Sequence, residues 1–281
     1  MKTAIALGTF DGVHLGHKAV IEASLKSGFK SVAVAFPEPP KSVISCKGNL
    51  LTTPIKKREI LKKMGVNEVF YLDFTEIRDN SPEEFLSFLK SEFNPAVICC
   101  GFNYRFGKNG LGDTEYLSKF CGENNIKSVV VPPVLVGSDI VSSTAIREML
   151  EAGEVLKANR LLCEPFGFSA PVIKGDKRGR TIGFPTANQI YPDNLIKVKF
   201  GVYKSVITFN GKTYKGITNI GVRPSFPNGE ISAETYIYDF SGNLYDKVLD
   251  ICLIEFIRPE QKFDSVEQLK QKIEEDIKKA H

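Results

Sequence analysis

Histidine is scarce in this sequence, with three copies in 281 residues. Cysteine occurs six times but never as C-x-x-C, and no apolar run reaches the roughly 20 residues that a membrane-spanning helix needs. Cys46, Cys99, Cys100, Cys121, Cys163 and Cys252 are scattered, with no histidine cluster beside them. That argues for buried, reduced thiols and a cytoplasmic, soluble protein. The opening "MKTAIALGTFDG" starts like a signal peptide, yet its apolar run breaks at Gly8 and meets Asp11, too short for an export signal. Low-complexity tracts are lacking too, and 42% hydrophobic and 25% charged residues are globular proportions that exclude disorder. A net charge of +4 suits phosphate-bearing ligands but is too mild for a dedicated nucleic-acid binder.

What the chain does have is alternation. Apolar, β-rich runs at 4–7, 31–36, 68–74, 96–102 and 128–133 are separated by helical patterns. The first helix is expected near His17. Others cover 55–65, 81–93 (Ser81 as cap, Pro82 at the first helical position), "TEYLSKFCGENN" and 142–153. Continuous apolar strands alternating with helices predict a doubly wound, Rossmann-like parallel sheet. After about residue 160 strands follow one another through turns, with Asn-Gly in "FNGK" at 209–212 marking a hairpin. This predicts an antiparallel barrel or sandwich followed by a terminal helix. In that helix Ser265 is the cap, Gln268 stands three residues on, and Val266, Leu269, Ile273 and Ile277 form the apolar stripe. The fold class is therefore α/β plus all-β, with domains at 1–158 and 164–281 joined near "NRLLCEP".

Two of the three histidines, His14 and His17, fall in "GTFDGVHLGHKAVI" at the exit of the first strand. A strand-to-helix turn offers free backbone N–H groups and a positive helix end to a phosphate, and Gly16 removes bulk beside the rings. Imidazole N–H groups aimed at phosphate oxygens would stabilise charge on a pentavalent phosphorus. Zinc would need three or four protein ligands, and no third is near in sequence. A second constellation, "KGDKRGRTIGFPTAN", packs glycines and cationic residues around a Pro-Thr-Ala-Asn turn. It reads either as a cradle for a nucleotide phosphate and Mg²⁺ or as a solvated basic hairpin. "GKT" at 211–213 mimics a P-loop tail, but Val206 stands where the first glycine belongs.

The G-x-F-D-G-x-H-x-G-H string resembles the signature of the HxGH nucleotidyltransferase superfamily, and Ser142, Ser143, Thr144, Ala145, Ile146 and Arg147 supply its companion S-S/T-x-x-[IV]-R. The segment 174–188 is similar to the flavokinase domain. So, in order, are "GVYKS", "TNIGVRPSF", "AETYIYDFSGNLYD" and "IRPEQKFDSVEQLKQKIEED". With "LTT" at 51–53 and "GFNYRFGKNGLGD" at 101–113, nearly the whole chain resembles the bacterial bifunctional riboflavin kinase/FAD synthetase family.

The resemblance implies that riboflavin is phosphorylated to FMN in the C-terminal domain and that FMN is adenylylated to FAD in the N-terminal one, with ATP as co-substrate and Mg²⁺ as cofactor. It implies that His14, His17 and Arg147 serve adenylyl transfer, with Gly8, Phe10, Asp11, Gly16, Asn103, Arg105, Ser142, Ser143 and Thr144 binding nucleotide. In the kinase, Glu234 would be the base and Thr186 and Asn188 would hold Mg-ATP. Gly175, Arg178, Gly179, Gly183, Pro185 and Arg223 would line the site. Partners are expected to be small molecules only, with no nucleic acid or membrane, and the chain a monomer or weak homo-oligomer.

Three positions depart from the family pattern. Pro39 replaces a histidine, "LLCEPF" replaces L-L-G-R-P-Y, and Ser225 replaces a threonine. Two other readings stay open at this point: a nucleotidyltransferase with another acceptor, such as pantetheine phosphate, or a C-terminal barrel that binds single-stranded nucleic acid through Phe184, Tyr203, Tyr236 and Tyr238.

Overall fold

The computed structural model describes residues 1–39, 49–175, 179, 182–222 and 230–280. Cys46, Arg178, Arg223 and Ser225 lie outside the described residues. The chain divides into two compact units, residues 1–145 with 161–164, and residues 146–160 with 165–281.

In the first unit β1 (Thr3–Leu7), β2 (Lys30–Ala35), β3 (Glu68–Tyr71), β4 (Pro95–Gly101) and β5 (Lys127–Val131) form a parallel sheet in the order β3-β2-β1-β4-β5. Every residue of β1 is buried, as continuous apolar strands covered on both faces should be. Ile5, Leu7, Val32, Val34 and Ile98 pack into one core, and Ala4, Ala6, Ala33, Val97 and Cys99 into the other. Between the strands run α1 (Leu15–Leu25), α2 (Pro54–Lys63), the short α3 (Phe74–Ile77), α4 (Pro82–Phe93) and α5 (Thr114–Glu123). Ser81 caps α4 as expected, and Glu84 returns a bond to the Ser81 N–H. Because β1 lies between β2 and β4, the strand order reverses there, and the loops leaving β1 and β4 flank the crevice where open α/β sheets bind ligands. A two-stranded ribbon follows, β6 (Leu135–Val136) with β7 (Asp139–Ile140); α6 (Ser143–Ala152) and α7 (Val155–Leu161) come next in the chain and cluster mostly with the second unit.

In the second unit six strands close an antiparallel barrel: β8 (Gly167–Ile173), β9 (Thr186–Ile190), β10 (Gly201–Phe209), β11 (Lys212–Val222), β12 (Ile231–Ile237) and β13 (Val248–Pro259), in the order β10-β11-β12-β9-β8-β13. Asn210 and Gly211 have φ of 48° and 73°, the left-handed pair that the Asn-Gly hairpin requires. Interior positions such as Ile207, Thr218, Ile220, Thr235, Leu249 and Ile251 are fully buried, and the Thr218 and Thr235 hydroxyls bond each other at 2.9 Å. The structure corrects two sequence expectations here. Thr186–Ile190 is a strand, not a turn. Helix α8 (Val266–Ala280) packs through Ile273, Ile277 and Ala280, whereas Val266 is exposed. The buried Asp276 of α8 instead accepts from Arg258 Nε at 3.1 and 2.8 Å.

Candidate active sites

At the exit of β1 the Gly8 N–H still bonds Val34 O, and the chain then turns through Phe10 and Val13, whose φ values are +50° and +41°. Both are fully buried. Left-handed backbone at such residues costs about 1–3 kcal/mol each and persists only where the surroundings over-determine it. Helix α1 begins at Leu15, two residues before the expected start, with His14 as its cap. The His17 N–H donates to His14 Nδ1 at 3.3 Å and the His14 N–H to His17 Nδ1 at 3.4 Å. The rings stack with centroids 3.6 Å apart. An imidazole that accepts at Nδ1 carries its proton on Nε2, so the hydrogen-bond network leaves two Nε2–H donors side by side. Burial, reinforced by the nearby His14 and Lys57 charges, holds the His17 pKa well below its ordinary value, which keeps that ring neutral. Gly16 is dictated by close approach, because a Cβ there would sit 3.1 Å from His14 Cε1.

Asp11, named from the motif as a nucleotide contact, works as a latch. Its Oδ1 accepts from the Leu51 and Thr52 N–H groups at 2.9 and 3.2 Å, and its carbonyl accepts from Ser143 Oγ at 2.9 Å. The "LTT" segment and the serine motif are thus both tied to the histidine turn. Sequence reasoning missed Lys57. Fully buried on α2, its ammonium donates to Thr9 O at 3.0 Å, Phe36 O at 2.8 Å and Pro37 O at 3.2 Å. It thereby joins the loops leaving β1 and β2. Burial pushes its pKa down to about 8, against the pull of Asp11 and Glu38. A cavity of about 250 Å³ opens beside it at the ends of β2 and β3, lined by Pro37, Glu38, Tyr71, Leu72, Asp73 and Phe74.

Ser142 accepts from the Ala145 N–H at 3.2 Å, and Thr144 is exposed. Arg147 follows on α6, half-buried, on the part of the helix that clusters with the second unit. In the loop after β4 Asn103 and Arg105 are exposed. Arg105 is 3.4 Å from Asp113 in a surface ion pair.

The second constellation assembles on the outer wall of the barrel. Glu234 pairs in register with Asn188 of β9 on one side and Asn219 of β11 on the other. Tyr236 pairs with Thr186, so Thr186, Asn188 and Glu234 share one face, opposite the buried Ala233 and Thr235. Asn219, absent from the sequence-derived candidates, completes the Glu234 rung. Gly175 passes so close over Asn188 that a Cβ would lie 2.7 Å from its amide. Gly179 likewise abuts Phe184 O, where a Cβ would come within 2.3 Å. Gly183 has a φ of +91°, and Pro185 is exposed. Asn188 Nδ2 lies 3.4 Å from Thr186 Oγ1, while Asn188 Oδ1 is buried without a hydrogen-bond partner.

The family model for FAD synthetase matches residues 1–145, and that for riboflavin kinase matches residues 162–281. A bifunctional riboflavin kinase/FMN adenylyltransferase of Listeria monocytogenes is 36% identical, the alignment covering 97% of this chain and 89% of the relative. The Bacillus subtilis protein of the same name is 32% identical over 99% of this chain and 92% of its own. A Streptococcus pneumoniae crystal structure named as a macrolide-efflux protein superposes with a TM-score of 0.88 at 30% identity, covering 99% of this chain and 93% of that one. Among the described residues of this chain no helix is long and apolar enough to cross a membrane. With both domain matches in order and near full-length likeness to curated members, the chain belongs to the bifunctional riboflavin kinase/FAD synthetase family.

Proposed function

We propose that this chain performs two successive ATP-dependent transfers, riboflavin to FMN in the C-terminal domain (164–281) and FMN to FAD with release of pyrophosphate in the N-terminal domain (1–158). The observation that carries the reading is the near full-length likeness to curated relatives of that name.

In the kinase step, Glu234 accepts the proton of the ribityl hydroxyl as its oxygen attacks the γ-phosphorus of ATP and ADP leaves. A neutral alcohol needs such an acceptor. Thr186 and Asn188 fit Mg²⁺, because Asn188 Oδ1 is buried without a hydrogen-bond partner and the Thr186 hydroxyl accepts from the same side chain's Nδ2, which offers two oxygens of the hard kind that the ion prefers. When bound, the ion neutralises phosphate charge. Gly175, Gly179, Gly183 and Pro185 shape the loop over that nucleotide, and Arg178 and Arg223 add positive charge.

In the adenylyl step, an FMN phosphate oxygen attacks the α-phosphorus of ATP and pyrophosphate leaves. The nucleophile is already anionic, so no base is required. The His14 and His17 Nε2–H donors stabilise charge on the α-phosphoryl oxygens. Arg147, Ser142, Ser143, Thr144, Asn103 and Arg105 hold the nucleotide around Gly8, Phe10, Asp11 and Gly16. The reading further places the protein in the cytoplasm, as a monomer or weak homo-oligomer without a nucleic-acid partner.

The test is a chromatographic time course of riboflavin, ATP and Mg²⁺ with the protein. FMN appearing first and FAD second is the expected outcome, and absence of both would refute the assignment.

A further inference from the structure

The riboflavin kinase match begins at residue 162, but the contacts divide the chain differently. Residues 161–164 cluster with residues 1–145, whereas 146–160 and 165–281 form the other unit. Leu162 bridges His14 in antiparallel fashion, and the Cys163 N–H donates to Val13 O at 3.1 Å. A Cβ on Gly12 would lie 3.3 Å from Leu162 Cδ2. Glu164 ends the segment with its carboxylate 2.7 Å from Lys63 Nζ and 3.4 Å from Lys56 Nζ. Both lysines are on α2, the helix whose Lys57 grips Thr9 O.

The two residues so fastened are the ones that most need it. Val13 is β-branched and sits at φ +41°, a conformation it would abandon without external restraint. His14 follows it directly and caps α1. We propose that residues 161–164 form a strap that positions His14 for adenylyl transfer, with the Cys163 N–H and the Glu164 carboxylate as its fastening groups. The segment is then a working part of the adenylyl site, although all of it but Leu161 falls within the kinase match. This rests on the role given above to the histidine pair.

The test uses the full-length protein and measures FAD formation from FMN and ATP beside FMN formation from riboflavin. Cys163→Pro deletes the N–H, and Cys163→Ala keeps it. The proline variant is expected to lower kcat for FAD about 10–100-fold, the scale of a misplaced reacting group. The alanine variant should stay within about two-fold, with FMN formation unchanged in both. A folded Cys163→Pro protein making FAD at the parental rate overturns the proposal.

If Cys163→Pro does not fold, the charge pair decides. Glu164→Lys should slow FAD formation about three-fold or more, and adding Lys63→Glu should restore it, as charge pairs allow. Parental activity in Glu164→Lys, or a loss that the second change does not restore, counts against the strap. His17→Ala in the same assay separates the two ideas. Full FAD formation there would sink the histidine reading itself, whereas loss in His17→Ala with none in the strap variants sinks only the strap.

Discussion

Single side chains at the end of β1 divide between chemistry and support. His14 and His17 satisfy each other's backbone N–H groups through Nδ1 and so carry their protons on Nε2. His14→Ala or His17→Ala is expected to lower FAD formation by roughly 10²–10³-fold, the effect of losing one preorganised donor. FMN formation from riboflavin, measured on the same sample, should be nearly unchanged. The pair was legible in the sequence because its spacing and glycines form a motif. The reciprocal bonds were not, since nothing in residue order says which ring nitrogen accepts.

Lys57 was illegible for another reason. Helix α2 reads "PIKKREILKK", and among its four lysines periodicity does not reveal which one turns inward. Lys57→Met would remove the donor from three half-buried carbonyls and should destabilise the N-terminal unit by about 2 kcal/mol. It also carries a pH signature. The pKa of Lys57 is depressed to about 8 in the folded chain, against 10.5 as a free side chain. Between those values the unfolded state holds the extra proton, so stability gains a contribution as pH rises through that window. Denaturant midpoints of parent and Lys57→Met across pH 8–10 should show this gain in the parent alone.

The strand and helix sequence was largely readable, because apolar runs and caps are local features. Ser81, Pro82 and the Asn-Gly hairpin all occur where residue chemistry put them. Thr186–Ile190 misled because "PTAN" carries turn residues, whereas its hydrogen bonds go to β12 and β8, far away in sequence. Strand pairing of that kind overrides local preference. Helix α8 misled in the opposite way, since one of its buried anchors is a charge. Arg258 and the buried Asp276 are a pair whose half-removal leaves an uncompensated charge in a dry place. Asp276→Ala should therefore cost about 3 kcal/mol or more, read as a lowered melting temperature of the kinase unit, whereas Val266→Ala at the exposed end should cost little.

Across the whole molecule, two units with separate cores predict separable activities. A fragment starting at Ser143, where α6 begins, should fold and phosphorylate riboflavin without making FAD. Asn159 bonds both Leu253 O and the Phe166 N–H at 2.8 Å. A fragment starting at 162 lacks that tie and should be less stable by about 1–3 kcal/mol, as urea titration would reveal.

On the proposed function, one chain runs two transfers at two sites, Glu234 serving the first and the histidine pair the second. The most direct measurement follows flavins chromatographically in Glu234→Gln, in His17→Ala and in an equal mixture of the two, each given riboflavin, ATP and Mg²⁺. Glu234→Gln is expected to lose about 10²–10⁴-fold in FMN formation yet still convert added FMN to FAD, His17→Ala to accumulate FMN, and the mixture to make FAD from riboflavin. Glu234→Gln forming FMN within a few-fold of the parental rate, or a mixture of two folded variants that stops at FMN, would contradict it.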